Sequence, residues 1–296
     1  MPRPRSALIV LVLLLASAAL IIEASDGFAV NHSATQTITA FGVCKRVTNE
    51  SATGLGLYVP TASAAEWQSF YANPPAGVAI ASCVTPGQQT YESPGTYSFV
   101  VPPYTTLTVK VWGGGAGGGY LAFPSISGDD GEQSGFGDTL IANGGLSNTS
   151  GGTASGGDIN ISGGDGGPGT TCAPPGCYTG GKGGDAPNGG TGGAGATGAN
   201  TDGSSGSTPG AGGGGGDLIV AVFTSGHFGN TSGGGGGAYA EKSYAPGELP
   251  IGGSIPIVVG SGGIGQPAGA DGDPPVTWGW RNGGKGANGR IEITWE

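Results

Sequence analysis

Basic residues are scarce in this chain. Ten lysines and arginines stand against twenty acidic residues, for a net charge of −10. A nucleic-acid partner requires a basic patch or a basic-aromatic stripe, and none is present. The same deficit disfavours an anionic membrane surface. Histidine is scarcer still, confined to His32 and His227. A hydrolytic triad needs a nucleophile, a base and a group that orients the base. His32 lies close to the N-terminal segment, and His227 sits between Gly226 and Phe228 with no carboxylate or cysteine nearby. No catalytic set is assigned, and the chain reads as non-enzymatic. Charged residues amount to only 10%, which excludes a charge-rich disordered protein. The hydrophobic share of 36% supports one modest core.

What is abundant is glycine, with 68 residues. Average usage would give about 7%, or roughly 21. From Gly113 to Gly237 the glycines recur in Gly-Gly-X triplets, among them Gly163-Gly164-Asp165, Gly183-Gly184-Asp185 and Gly192-Gly193-Ala194. A three-residue period matches the turn of a polyproline II helix, and in a bundle glycine lets neighbouring backbones touch. Collagen requires an unbroken frame, which is lost where Gly195 and Gly198 are followed by Thr201. A flexible linker is the bland alternative. Against it stand strand-like islands at 137–142, 158–162, 217–224 and 238–244, which a linker does not need.

The N-terminus reads as a targeting signal. Arg3 and Arg5 precede an apolar and small-residue run from Ala7 to Ile22, short of the roughly 20 residues of a bilayer span. Ala16-Ser17-Ala18 gives a small-x-small cleavage signature. A cleaved signal peptide within residues 1–26 is favoured. An uncleaved anchor is the alternative, and membrane contact would then be confined to residues 7–22. Either way the chain is expected to be exported, secreted or held at the cell surface. Cysteine usage agrees with an oxidising destination. The cysteines form two sequence-local pairs, Cys44 with Cys83 and Cys172 with Cys177, although sequence alone leaves other pairings open.

Residues 27–90 have ordinary globular composition and read as a small α+β, disulfide-linked unit. Strands are expected at 36–43, 55–59 and 78–83. A helix is expected after the capping-box spacing of Ser63 to Glu66, with Trp67, Phe70 and Tyr71 on one face. Residues 91–112 are expected to form a β-hairpin: Tyr97, Phe99 and Val101 alternate on one strand, Leu107, Val109 and Val111 on the next. Strands return at 254–259 and 290–295. The glycine-rich stretch is thus bracketed by β-structure, and the flanking strands are expected to pair into a base.

The segments PGTYSFVVPPYTTLTVKVWGGGAGGG, SGFGDTLIANGG, GGGGGAYAEKSY, IPIVVGSGGIG and GGKGANGRIEITW occur in that order. In this, the residues from Ser93 onward, within a glycine-rich domain expected over 91–296, resemble the glycine-rich domain of bacteriophage tail adhesins and fibres and of bacterial surface proteins. The resemblance implies a mainly β fold: a β-sandwich-like base carrying a lobe of polyglycine II helices, whose connecting loops bind a receptor without catalysis. Phage tail proteins carry no export signal, so the N-terminal segment turns the reading towards an adhesin-like cell-surface protein. A phage tail fibre component and a self-assembling envelope or matrix protein are the alternatives.

Aromatics in glycine surroundings are the candidate ligand contacts, since exposed rings anchor interfaces and sugars. They are Tyr120, Phe123, Tyr178, Phe223, Phe228, Trp278 and Trp280, with His227 beside them. The expected partner is a surface glycan or an envelope protein. Gly260 to Gly265 fits G-x-G-x-x-G, but no helix signal or acidic residue follows at the needed distance, so neither a nucleotide nor another cofactor is assigned. Asp158, Asp165 and Asp185 lack the tandem spacing of calcium-binding repeats, and Cys172 and Cys177 have no histidine near them, so no metal is assigned.

Overall fold

The computed structural model describes residues 11–15, 18–22, 34–40, 43–49, 78–82, 84–119, 127–171, 178–198, 201–220, 231–271 and 278–296. The chain divides into two compact units, residues 1–85 and 86–296. In the first, β1 (Leu11–Leu15) pairs antiparallel with β2 (Ala18–Ile22). Strands β3 (Ala34–Ala40), β4 (Val43–Asn49) and β5 (Val78–Ser82) make a three-stranded antiparallel sheet with β4 in the centre. The helix expected after Ser63 and the strand expected at 55–59 lie outside the described residues. No helix among the described residues is long and apolar enough to cross a membrane.

The second unit is mainly β, with two five-stranded antiparallel sheets and no helix among its described residues. Its strands begin with β6 (Gly87–Tyr91), β7 (Gly95–Val100), β8 (Leu107–Trp112), β9 (Ser134–Phe136) and β10 (Leu140–Ala142). Then come β11 (Ala154–Ser155), β12 (Ile159–Ile161), β13 (Thr170–Thr171), β14 (Tyr178–Thr179) and β15 (Leu218–Val220). The last are β16 (Tyr239–Tyr244), β17 (Ser254–Val259), β18 (Gly269–Asp271), β19 (Trp278–Trp280) and β20 (Arg290–Trp295). One sheet has the order β11-β10-β9-β17-β7, the other β12-β16-β8-β20-β6. Because β6 pairs with β20, Gly87 to Tyr91 belong to this unit rather than to the preceding one.

The two sheets share one core. Leu107, Val109 and Val111 of β8 and Ile291 and Ile293 of β20 are fully buried, alternating with partly exposed polar neighbours. Phe99, Phe136, Leu140, Ile257 and Val259 close it from the other sheet. The Phe99 and Phe136 rings meet at 6.0 Å, tilted by 56°.

The hairpin expected over 91–112 does not form. Strand β7 pairs with β17 and β8 pairs with β16 and β20, so the two strands belong to different sheets. Each carries one apolar face, and that pattern fits strands facing each other across a core as well as neighbours in one sheet. The connection through Pro102, Pro103 and Tyr104 makes the crossing. The Tyr104 hydroxyl is buried, 3.0 Å from the Ala245 carbonyl and 3.2 Å from that of Leu249, and accepts the Leu249 N–H at 2.8 Å. Tyr104→Phe leaves these groups without that partner and is expected to cost about 1–3 kcal/mol, read as a lower urea midpoint at unchanged m-value. A second difference is at 137–142, where the strand is confined to β10, and Gly137 (φ 60°) lies in the turn that joins β10 to its antiparallel partner β9, outside the expected range.

Between the strands run extended glycine-rich segments whose backbone bonds step by threes. Gly113, Ala116 and Gly119 donate to Ala238, Gly235 and Ser232 at 3.0, 2.9 and 2.7 Å. Gly114 and Gly117 donate to Glu132 and Asp129, both at 2.9 Å; Gly115 and Gly118 donate to Ala287 and Gly284 at 2.8 and 2.9 Å. Three consecutive N–H groups therefore reach three different segments. Segment 210–217 behaves alike: Gly212 and Gly215 donate to Gly184 and Gly181, Gly213 to Ala116, and Gly214 to Ser204.

Candidate binding tip

The glycine-rich segments have two ends. At one end they run directly into the sandwich. Gly113 follows β8, Ala238 precedes β16, Asn143 follows β10, Gly260 follows β17 and Gly289 precedes β20. These residues bond to one another: Gly113 N donates to Ala238 O, Ala238 N to Asn143 O and Gly289 N to Gly260 O, at 3.0, 3.0 and 2.9 Å. At the other end, Gly119 N reaches Ser232 O, Gly181 N reaches Thr231 O, Ala196 N reaches Gly215 O and Asp217 N reaches Thr201 O. Arg281 N donates to Asp217 O at 2.8 Å and Gly283 N to Gln266 O at 2.8 Å.

Short strands decorate this tip. Strands β13 and β14 pair with Thr171 opposite Tyr178. Strand β19 lies between β15 and β18, with Trp278 opposite Val220 and Asp271, and Trp280 opposite Leu218 and Gly269. Positions 278 and 280 are two apart on β19. The structure thus brings Trp278 and Trp280 together on one small sheet and places Tyr178 on β14. Tyr120, Phe123, Phe223, His227 and Phe228 lie outside the described residues, as do Cys83, Cys172 and Cys177. Cys44 is on β4.

Below the tip lies a polar layer that the sequence reading missed. Asp217, Thr231, Ser232 and Gln266 are all buried. The Thr231 hydroxyl donates to the Gly216 carbonyl. Asp202 accepts from Asn282 through its backbone N–H at 3.0 Å and its side-chain Nδ2 at 3.1 Å, while Asn282 Oδ1 accepts the Ala268 N–H at 2.7 Å. The available signal was positional: Asp217 and Thr231 flank the apolar island and its glycine run.

The carboxylates along the flanks also have structural partners. Asp158 accepts the Ser243 N–H, Asp165 the Gly151 N–H, Asp130 the Ser147 N–H and Asp185 the Gly192 N–H. Outward-pointing amides that no neighbouring segment can reach are thereby satisfied by side chains. Among the described residues no three histidine, cysteine or carboxylate groups converge on a metal-sized site. The Ser261 backbone N–H, followed by its side chain, holds the Glu132 carboxyl below its ordinary range. Lys182, followed by the Gly192 N–H, does the same for Asp185. Both groups are ionised at neutral pH in either state, but the folded state holds the charge more tightly. Their contribution is therefore complete above the ordinary carboxylate range of about 4 and is lost as pH falls through it towards the lowered folded values. Urea midpoints should drop between neutral pH and roughly pH 3, with a shallower drop in Glu132→Gln.

The glycines of Gly260 to Gly265 serve close backbone approach. A Cβ on Gly262 would lie 2.1 Å from the Gly286 carbonyl oxygen, and Gly263 N donates to Gly115 O at 2.8 Å. A concavity lies at the sandwich end far from the tip. It is an open depression of 550 Å³ lined by Gly87, Gln88, Thr106, Thr108, Thr294 and Trp295. Comparison with protein-family models, with curated proteins and with solved structures finds no match for this chain.

Proposed function

We propose that this is an exported, adhesin-like binding protein without catalytic activity, in which a bundle of polyglycine II helices on a β-sandwich base holds ligand-binding loops at its far end. Support for the helices comes from the three-residue stepping of the backbone bonds. A chain whose N–H directions repeat every third residue is an extended three-fold helix, and in isolation it has no internal hydrogen bonds. Its amides must go to neighbours, and where a Cβ would face a neighbouring carbonyl, as at Gly213, only glycine allows that neighbour so near.

The observation that carries the binding reading is convergence. Tyr178 on β14 and Trp278 and Trp280 on β19 lie on the short strands at the end of the glycine segments away from the sandwich. A support held by backbone bonds on all sides limits the ordering cost that loops would otherwise bring to binding. The partner is a surface glycan or an envelope protein, because aromatic rings among small polar residues suit sugar faces and interface cores. The two local disulfides fit the same reading. Cys44 lies on β4, the central strand of its sheet. Cys172 and Cys177 follow the β13 edge of the tip and would pin its loop.

Binding of the purified protein to a glycan array and to envelope extracts tests the assignment. Trp280→Ala and Phe228→Ala are expected to weaken a hit at least tenfold, the scale of an interface anchor worth about 1.4 kcal/mol or more. Equal binding by the whole aromatic-to-alanine series would remove the tip as the site. A protein that assembles into large polymers through its glycine segments and binds no ligand would favour the matrix alternative.

A further inference from the structure

Asparagine stands two residues before serine at Asn31, Asn49, Asn148, Asn160 and Asn230, nearly half of the chain's asparagines, and never with proline between. This is the acceptor pattern for N-linked sugar, which belongs on surface segments of exported proteins. Asn148 and Asn160 are the two for which the structure describes asparagine and serine together. We infer that Asn148 and Asn160 are N-glycosylation sites, and that their glycans cover the apolar edge formed around β11 and β12.

Three observations converge on this edge. First, both asparagines and both partner serines, Ser150 and Ser162, are exposed. Second, Asn148 sits in a turn in which its Oδ1 accepts the Ser150 N–H at 3.2 Å. This Asx-turn holds the side chain by its oxygen, brings the serine alongside and leaves Nδ2 outside the turn. Asn160 is held less openly, with Oδ1 accepting the Gly157 N–H at 3.0 Å and Nδ2 donating one hydrogen to Gly157 O at 2.7 Å. Its second amide hydrogen is not used in that pair. Third, the neighbours are apolar and uncovered: Leu146 is 40% exposed, Ile159 46% and Ile161 40%. They make up half of the large apolar side chains left open among the described residues. Strand β12 is also an outer strand of its sheet, and an apolar edge invites pairing with another chain. A bulky hydrophilic group on the same strand would block that approach. The Asn230 motif is different, because its serine, Ser232, is buried, and the inference does not extend to it.

The transfer balances without any redox partner. Asparagine Nδ2 bonds to the anomeric carbon of a lipid-pyrophosphate-linked oligosaccharide. The carbon–oxygen bond to pyrophosphate breaks, the lipid pyrophosphate leaves with the electron pair, and Nδ2 gives up one proton to a carboxylate of the transferase in the exporting cell's membrane.

The inference rests on the export reading, and the experiment separates the two. The full chain is translated into glycosylation-competent microsomes twice, once with its own residues 1–26 and once with a proven cleavable signal in their place. Protease protection reports translocation, and endoglycosidase-sensitive mass reports sugar. The expected result is a protected chain that loses one glycan step in Asn148→Gln and one in Asn160→Gln. Ser150→Ala should lose the first step with the asparagine intact, and Ser150→Thr should keep it. Sugar on both sites only with the replacement signal would overturn export while supporting the acceptor sites. A protected chain without sugar on either asparagine, under either signal, would overturn the inference.

Discussion

Gly213→Ala is expected to abolish cooperative folding of residues 86–296, or to destabilise them by more than about 4 kcal/mol, which is exceptional for one methyl group. The added Cβ would lie 2.0 Å from the Gly284 carbonyl oxygen and 2.5 Å from its carbon. Neither partner is free to retreat. Gly284 O accepts the Gly118 N–H at 2.9 Å, while Gly213 donates to Ala116 O and accepts from Gly234 N, both at 2.9 Å. Relieving the overlap breaks at least one buried backbone bond and displaces a segment that other segments hold. Ordinary overpacking, relieved by side-chain rotation, costs about 1–3 kcal/mol; here the obstacle is backbone. Gly198→Ala is the internal control. No heavy atom lies within 4 Å of a Cβ at that position, and removing glycine's freedom in the unfolded chain should leave stability unchanged or raised by up to about 1 kcal/mol. Equilibrium urea unfolding of the two variants makes the comparison. Equal stability would mean that the glycine segments do not pack as described.

Amide hydrogens of Gly113 to Gly119 should exchange at least roughly a thousandfold more slowly than in an unstructured chain, an opening free energy of about 4 kcal/mol. A region that is almost all glycine would ordinarily be assigned to the fastest class. Here each of its amides has a backbone acceptor within 3.0 Å, in one of three different segments. Freeing one segment therefore requires parting it from several others, and opening should be close to global. Peptide-resolved exchange by mass spectrometry reads this directly. Complete exchange across 113–119 within seconds would return the region to a linker and remove the rigid support on which the binding reading depends.

The strands were the legible part of the sequence. Strand β17 and strand β20 lie where alternation placed them, because each buries one face against the shared core. Which strands would pair was not legible: Tyr97–Phe99 and Leu107–Val111 carry the same pattern whether they are neighbours or stand across a core. The glycine triplets carried their period but not their partners. Nothing in Gly113 to Gly119 says that its amides meet segments as distant as 232–238 and 284–287. The acceptor role of Asp165 and Asp185 was equally hidden, since an aspartate that closes off a neighbour's amide looks in sequence like any solvated one. Trp278 and Trp280 drew attention because aromatics are conspicuous among glycines. The polar layer beneath them was missed because Asp217 and Thr231 are not.

The stepping of amides by threes also governs how chain length can change. One residue inserted within 210–217 would rotate every later amide of that segment by a third of a turn and aim each at the wrong neighbour. Three residues inserted together would restore the directions and merely lengthen the segment. Segments bonded in this way can therefore change length only in triplets, and each triplet added lengthens the stack of bonded amides without re-aiming it.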